Sequence, residues 1–236
     1  MSSATRASTR RCLRQALARR QKSLLTTKMQ MALTESYQQR LESLLAVDEG
    51  IEQMIQALEA TGELANTVIM FTSDNGYMLG EHRLHAGKTV AYEPSALVPL
   101  IITGPGFPAN VQRRHPISQI DLAPTIADIA AATPTLTVDG VSLIPLARSP
   151  VGWPARHLVI EAGPRSLNGP MFYTGVRGSR YVYLEYHETV EVEFYDLMRD
   201  PYQLQNLEAD PAYDGYQAQL ARLLESMRNC VGADCR

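Results

Sequence analysis

Asp74 and Asn75 stand side by side in Ser73-Asp74-Asn75-Gly76, directly after an apolar run. A carboxylate next to an amide carbonyl offers two hard oxygen donors, which suit Ca2+, and Mg2+ less well, rather than a soft metal. Gly76 lets the backbone turn sharply away behind them. Further on, Lys88 follows Gly87 and can set a compact positive charge against a sulfate or phosphate oxygen. His82 and His85 lie between, with imidazoles able to donate hydrogen bonds or move protons. Each group also has a plainer reading: Ser-Asp-Asn-Gly is a strong turn sequence, the lysine reads as solvated and the histidines as satisfied loop residues. Local spacing alone favours the turn. Two oxygens do not complete a calcium site, which takes about six to eight, so the set is half a site at most.

Such groups act only where regular elements hold them. Thr67–Thr72 is β-branched and apolar, and so is Val98–Thr103, which ends on Gly104-Pro105-Gly106. Two such runs flanking a polar loop are the pattern of a site at the carboxyl ends of buried strands. Upstream, Leu41, Leu44, Leu45, Ile51, Met54, Ile55 and Leu58 recur at three- and four-residue steps. They predict an amphipathic helix over Thr34–Leu64 with one core face, capped near Thr34 and stopped at Thr61-Gly62. Asp48 and Glu49 on that helix read as solvated charges. A helix feeding a strand through a short turn is an α/β unit, and a largely parallel sheet is expected.

Asp121–Ala132 reads as a short helix with Asp121 as its cap, Asp139-Gly140 as a turn, and the stretch from Ser149 to Pro154 as a linker. Beyond it, His157–Glu161, Met171–Arg177, Tyr181–Tyr186 and Glu191–Tyr195 are short, Tyr- and Val-rich and separated by turn residues, which predicts an antiparallel sheet. Helical spacing returns over Asp210–Arg228. The fold class expected is α/β: a partial sheet with flanking helices over residues 34–154, then a small α+β subdomain over 155–236.

Composition bounds the rest. The chain has 236 residues and a net charge of −3, unevenly spread. Eight Lys or Arg and no acidic residue precede Glu35, against 14 basic and 25 acidic residues after it. Residues 1–33 therefore form a basic leader ahead of an acidic body. It has the composition of an organelle transit peptide, of a disordered tail, or of a start placed in an unrelated or shifted reading frame. A nucleic-acid arm is a further reading, but no aromatic residues interleave for base stacking, and no nucleic-acid partner is expected. No run is long and apolar enough for a membrane span. The sequence leaves compartment and oligomeric state open. Of three cysteines, Cys230 and Cys235 can close a small disulfide ring in an oxidising compartment, whereas Cys12 stands alone.

Taken together, the order FTSDNG…LGEH…GK…YE…VPLIITGPG resembles the later part of the catalytic domain of type I sulfatases, within the alkaline-phosphatase-like superfamily. The likeness continues through Ile120–Ile126 and Asp139–Leu143. It reaches Phe194-Tyr195-Asp196-Leu197, Asp200-Pro201 and Asn206-Leu207, and covers the chain from about Leu33 onward. Thr61–Leu64 leading into Asn66-Thr67, with the two-cysteine tail, is most similar to N-acetylglucosamine-6-sulfatases acting on glycosaminoglycans.

The resemblance implies a fold, a chemistry and roles. Residues 34–154 would be part of an alkaline-phosphatase-like sheet, and 155–236 the family's C-terminal subdomain. Asp74 and Asn75 match calcium ligands, Lys88 matches a lysine on the substrate sulfate, and His82, in Gly80-Glu81-His82, matches a position near the site. The implied reaction is hydrolysis of a sulfate ester, of a sulfated sugar or glycan, by a formylglycine made from Cys or Ser. Here the chain departs from the pattern. The nucleophile lies in C/S-x-P/A-x-R, and Cys12-Leu13-Arg14-Gln15-Ala16 fails it. Ser2-Ser3-Ala4-Thr5-Arg6 fits the bare pattern without a strand to position Ser2. The acidic pair of the family's first strand is absent, and Leu97 stands where a basic residue is common. The expectation is a truncated or inactive sulfatase-family chain. A sulfated-glycan binder and a phosphodiesterase or phosphonate hydrolase of the same superfamily are the alternatives.

Overall fold

A computed structural model describes residues 23–84, 87–163 and 171–235. Ser2, Cys12 and His85 lie outside the described residues. Helix α1 spans Thr27–Thr61; Thr26 caps it by accepting from Met29 N, and Gly62, with φ 76°, ends it in the left-handed region. The stop is where Thr61-Gly62 predicts it, but the start is a full two turns earlier than Thr34. Lys28, Met29, Gln30, Met31 and Ala32 are all good helix formers, and Thr26 rather than Thr34 provides the cap. Thr34 instead turns its hydroxyl back onto the Gln30 carbonyl. The expected core face is also different: no residue of α1 is buried, and Leu41, Leu44, Leu45 and Met54 are exposed. Asp48 and Glu49 are solvated, as read from the sequence.

Strand β1, Ile69–Thr72, pairs with β2, Leu100–Thr103, and the pairing is antiparallel, with Ile69 opposite Thr103 and Thr72 opposite Leu100. This corrects the expectation of a largely parallel sheet. A parallel return needs a crossover of a dozen or more residues, usually a helix. The connection from Ser73 to Pro99 carries only one helical turn, α2, Glu93–Ala96. It re-enters beside the point where β1 ended, and Thr72 Oγ1 donates to the Pro99 carbonyl across the gap. Among the described residues, β1 and β2 form a two-stranded sheet of their own.

The contacts of the described residues fall into two units, one within residues 23–88 and 94–111, the other within 89–93 and 112–235. In the second unit α3 is Leu122–Ile129 and α4 is Ile144–Arg148. Asp121 does not cap α3 in the way expected. Ser118 is the cap of a preceding turn, and Asp121 is the third residue of its capping box, accepting from Ser118 N at 2.9 Å. The same carboxylate accepts from Val141 N and receives the Arg156 guanidinium through two hydrogen bonds of 2.8 and 3.1 Å. Both side chains are shut off from solvent. Gly140 completes the knot, because a Cβ there would stand 2.2 Å from the Ile120 carbonyl oxygen. The stretches Ile120–Ile126 and Asp139–Leu143 thus serve packing.

The later strands fall where the Tyr- and Val-rich runs predict. β3, Leu158–Ala162, β4, Tyr173–Arg177, β5, Tyr181–Tyr186, and β6, Glu191–Asp196, form an antiparallel sheet in chain order. Alternation sends Val176, Tyr183 and Phe194 to one face, where they pack with Tyr213, Leu220, Leu224 and Met227. The last three belong to α5, Asp214–Met227. Tyr173, Val182, Leu184, Tyr186 and Tyr195 go to the other face, where Ala91 packs among them. Cys230 and Cys235 are disulfide-bonded, with Cα atoms 5.2 Å apart, and Gly232 N of that ring donates to Asp139 Oδ1.

Candidate functional site

β1 ends at Thr72, and the next four residues build the site's floor. Ser73 Oγ donates to the Asn75 carbonyl at 2.8 Å, and Asn75 Nδ2 donates to the Gly76 carbonyl at 2.8 Å. That second bond fixes which way the Asn75 amide points, leaving Oδ1 outward. Gly76 N and Tyr77 N then donate to the Ser95 and Pro94 carbonyls. The approach is so close that a Cβ on Gly76 would lie 2.1 Å from the Pro94 oxygen. Glycine is required there for space, with the turn following from it.

Met78 and Gly87 form an isolated bridge, Met78 N donating to the Gly87 carbonyl at 2.7 Å. The bridge closes the polar loop and delivers Lys88 back to the end of β1. Lys88 Nζ donates to Asn75 Oδ1 at 2.8 Å and stands 3.9 Å from Asp74 Oδ2. Asp74 and Lys88 both face solvent, their side chains 82% and 52% exposed. An ion pair so exposed is worth little on its own, about 1 kcal/mol at most. The groups are therefore held in place by the loop more than by the ion pair.

His82 sits in the turn Glu81–Arg83 with φ 53° and ψ 21°, a left-handed conformation that costs a non-glycine residue energy. The turn is braced by Glu81, whose carboxylate accepts from Leu79 N at 2.5 Å. Helix α1 lies over the same loop: Arg40 stacks on the Tyr77 ring at 4.0 Å, and Leu25 and Leu33 reach Gly80. The structure thus brings Asp74, Asn75 and Lys88 together and sets His82 in the loop that joins them.

As a cation site the set is right in kind and short in number. Asp74 and Asn75 give two hard oxygens, one of them already held by an ammonium, and the described residues hold no group of three or more His, Cys, Asp or Glu placed for a metal. As an anion site it offers one ammonium beside oxygens that a cation could bridge. Sequence reasoning missed what fastens the segment after Lys88: Arg177 and Gln203 contact Glu93. Tyr92-Glu93 within the resemblance was the available signal. Their partners lie some 80 to 110 residues away in the chain, at separations of 84 and 110.

The model of the family described as Sulfatase matches residues 3–132, and that described as N-sulphoglucosamine sulphohydrolase, C-terminal, matches residues 80–230. N-acetylglucosamine-6-sulfatase from Homo sapiens is 34% identical over 254 residues, covering 93% of this chain and 46% of that protein. N-acetylglucosamine-6-O-sulfatase from Bacteroides thetaiotaomicron is 32% identical, covering 86% of this chain and 37% of its own length. A structure solved with its substrate D-glucosamine-2-N,6-O-disulfate aligns with a TM-score of 0.65 at 31% identity, over 77% of this chain and 38% of the other. The phosphonate monoester hydrolase of Agrobacterium radiobacter aligns with a TM-score of 0.67 at 30% identity, over 77% and 39%. The chain spans less than half the length of these relatives.

Proposed function

The chain belongs to the sulfatase family, and from that premise we propose that the loop after β1 recognises the sulfate group of a sulfated sugar or glycosaminoglycan. The observation that carries this reading is the ammonium of Lys88 held 2.8 Å from Asn75 Oδ1 and 3.9 Å from Asp74 Oδ2. Lys88 contacts a sulfate oxygen and offsets negative charge there. Asp74 and Asn75 contribute to a Ca2+ site whose remaining donors come from substrate, water or other polypeptide. Ca2+ held there by Asp74 and Asn75 would supply Lewis-acid polarisation of the sulfate oxygens. His82 lies at the margin of the sulfate pocket.

Hydrolysis needs a nucleophile as well. Among the described residues no Cys or Ser begins a C/S-x-P/A-x-R motif, and Cys230 and Cys235 are joined in a disulfide. Recognition without turnover is therefore the activity proposed for this chain by itself, since catalytic groups act as a unit. Salt-sensitive retention on immobilised heparin, lost in Lys88→Ala, supports the reading; no retention at low salt rejects it. Calcium-dependent turnover of a chromogenic aryl sulfate, abolished by Asp74→Ala, would overturn the recognition-only part. The likeness to a phosphonate monoester hydrolase supports a second reading, a phosphonate or phosphate ester as ligand. Competition by phenyl phosphonate stronger than by phenyl sulfate would favour it.

A further inference from the structure

Tyr92 and Glu93, the adjacent Tyr-Glu of the chain, are tied to partners far along the sequence. Ala91 is 2% exposed, packed among Tyr173, Val182 and Leu184 of the antiparallel sheet. The Tyr92 hydroxyl donates to Glu193 Oε1 at 3.2 Å, and its ring meets Tyr195 edge-on. Glu93 N donates to Gln203 Oε1 at 2.8 Å. Gln203 is itself buried, and its amide nitrogen reaches the Ala91 carbonyl at 3.5 Å. The Glu93 carboxylate takes the Arg177 guanidinium through two bonds, Nε to Oε1 at 3.0 Å and an Nη to Oε2 at 3.1 Å. Arg177 is steadied in turn by donating to the Gly178 carbonyl. The strap from Thr89 to Glu93 is thus seated by an apolar contact, single hydrogen bonds and a fork-to-fork ion pair, the last being the most directional.

The strap's place in the chain gives these contacts their meaning. Lys88 is the residue immediately before it. Pro94 and Ser95 come immediately after, and their carbonyls receive Tyr77 N and Gly76 N, the backbone next to Asn75. Both ends of the strap therefore run directly into the loop that holds Asp74, Asn75 and Lys88. We propose that Glu93, Arg177 and Gln203 are positioning residues for that loop: by latching the strap, they hold the Lys88 ammonium and the Asn75 oxygen in register for a sulfate group. This rests on the sulfate reading of Lys88. The pair is about four-fifths buried on each side, so it is screened less by salt than the Lys88–Asp74 pair.

The test uses the full chain with Arg177→Ala, Arg177→Lys and Gln203→Leu, read in two ways. Hydrogen–deuterium exchange over residues 87–93 is expected to quicken about tenfold or more in Arg177→Ala and Gln203→Leu, the effect of losing a hydrogen bond to a charged or buried group. The β5 and β6 amides keep their rates. Titration with glucosamine 6-sulfate in Ca2+ is expected to weaken about 10- to 100-fold in the same variants, with Arg177→Lys in between. A merely structural role would quicken exchange across the whole sheet and lower the melting midpoint without singling out the strap. Unchanged strap exchange in both variants, or a loosened strap with unchanged affinity, overturns the proposal. If the unmodified chain does not bind the sugar, the sulfate reading fails instead, and the exchange data alone decide whether the latch exists.

Discussion

The Lys88 ammonium donates to Asn75 Oδ1 at 2.8 Å, so a cation already rests against one of the two oxygens best suited to bind a metal. On the proposed reading, Lys88 and Ca2+ would compete for Asn75 and act together toward a sulfate. Removing the lysine separates the two roles. Lys88→Ala is expected to tighten Ca2+ binding severalfold from a starting dissociation constant of about 1 mM or weaker, the range for sparsely liganded sites. It should weaken a sulfate ester by about tenfold, the loss of one charge-assisted hydrogen bond. Calorimetric titration of each ligand checks both signs; Ca2+ affinity that falls with the lysine contradicts the arrangement.

A second expectation concerns the knot around Asp121. Its carboxylate is fully buried and holds Arg156, Ser118 N and Val141 N. Asp121→Ala leaves a buried guanidinium uncompensated, and the expected loss is about 3–5 kcal/mol of folding stability. Urea unfolding followed by tyrosine fluorescence measures it. The double variant Asp121→Leu with Arg156→Met should recover much of the loss, because the cost lies in the orphaned charge.

The pH dependence of stability carries a signature of Glu193. Burial pushes its pKa up from 4.5, while hydrogen bonds from tyrosines pull part of the way back and the Glu191 charge pushes further up. The folded state thus holds this proton more tightly than the unfolded chain does. The resulting contribution to stability is full below about pH 4.5 and fades as pH rises through the elevated value. Asp196 acts oppositely: the Arg180 hydrogen bonds lower its pKa below 3.8, so its contribution is present above that value and is lost in stronger acid. Glu193→Gln should flatten the fall in stability above pH 4.5 and leave the acid limb, as urea midpoints measured against pH would show.

Reduction of Cys230–Cys235 is expected to cost about 2 kcal/mol, the modest value for a very small closed loop. The ring also docks through Gly232 N on Asp139. Cys230→Ser with Cys235→Ser should therefore loosen the Asp139-Gly140 turn in hydrogen exchange and leave β3–β6 unchanged.

The sequence made some elements plain and hid others for physical reasons. The four later strands were readable because each is short, Tyr- and Val-rich and cut off by turn residues; Tyr181–Tyr186 matches to the residue. The stop of α1 was visible in Thr61-Gly62 because a left-handed cap nearly demands glycine. Its start was not, because Thr26 and Thr34 are equally good caps and only the fold chooses. The β1–β2 direction was hidden because apolar runs carry no sign of orientation. Asp74, Asn75 and Lys88 were each ordinary in isolation. Their convergence depends on the Met78–Gly87 bridge, a backbone contact that side-chain patterns do not encode. The Glu93–Arg177 latch was invisible for the same reason, as its partners lie 84 residues apart.

Recognition of a sulfate group by the Asp74-Asn75-Lys88 loop is the proposal on which the others rest. Titration of the unmodified chain and of Lys88→Ala with glucosamine 6-sulfate, in Ca2+ at low and moderate salt, tests it most directly. Saturable, salt-sensitive binding by the unmodified chain and at least about a tenfold loss in Lys88→Ala are expected. Equal affinity of the two proteins at both salt concentrations would contradict it.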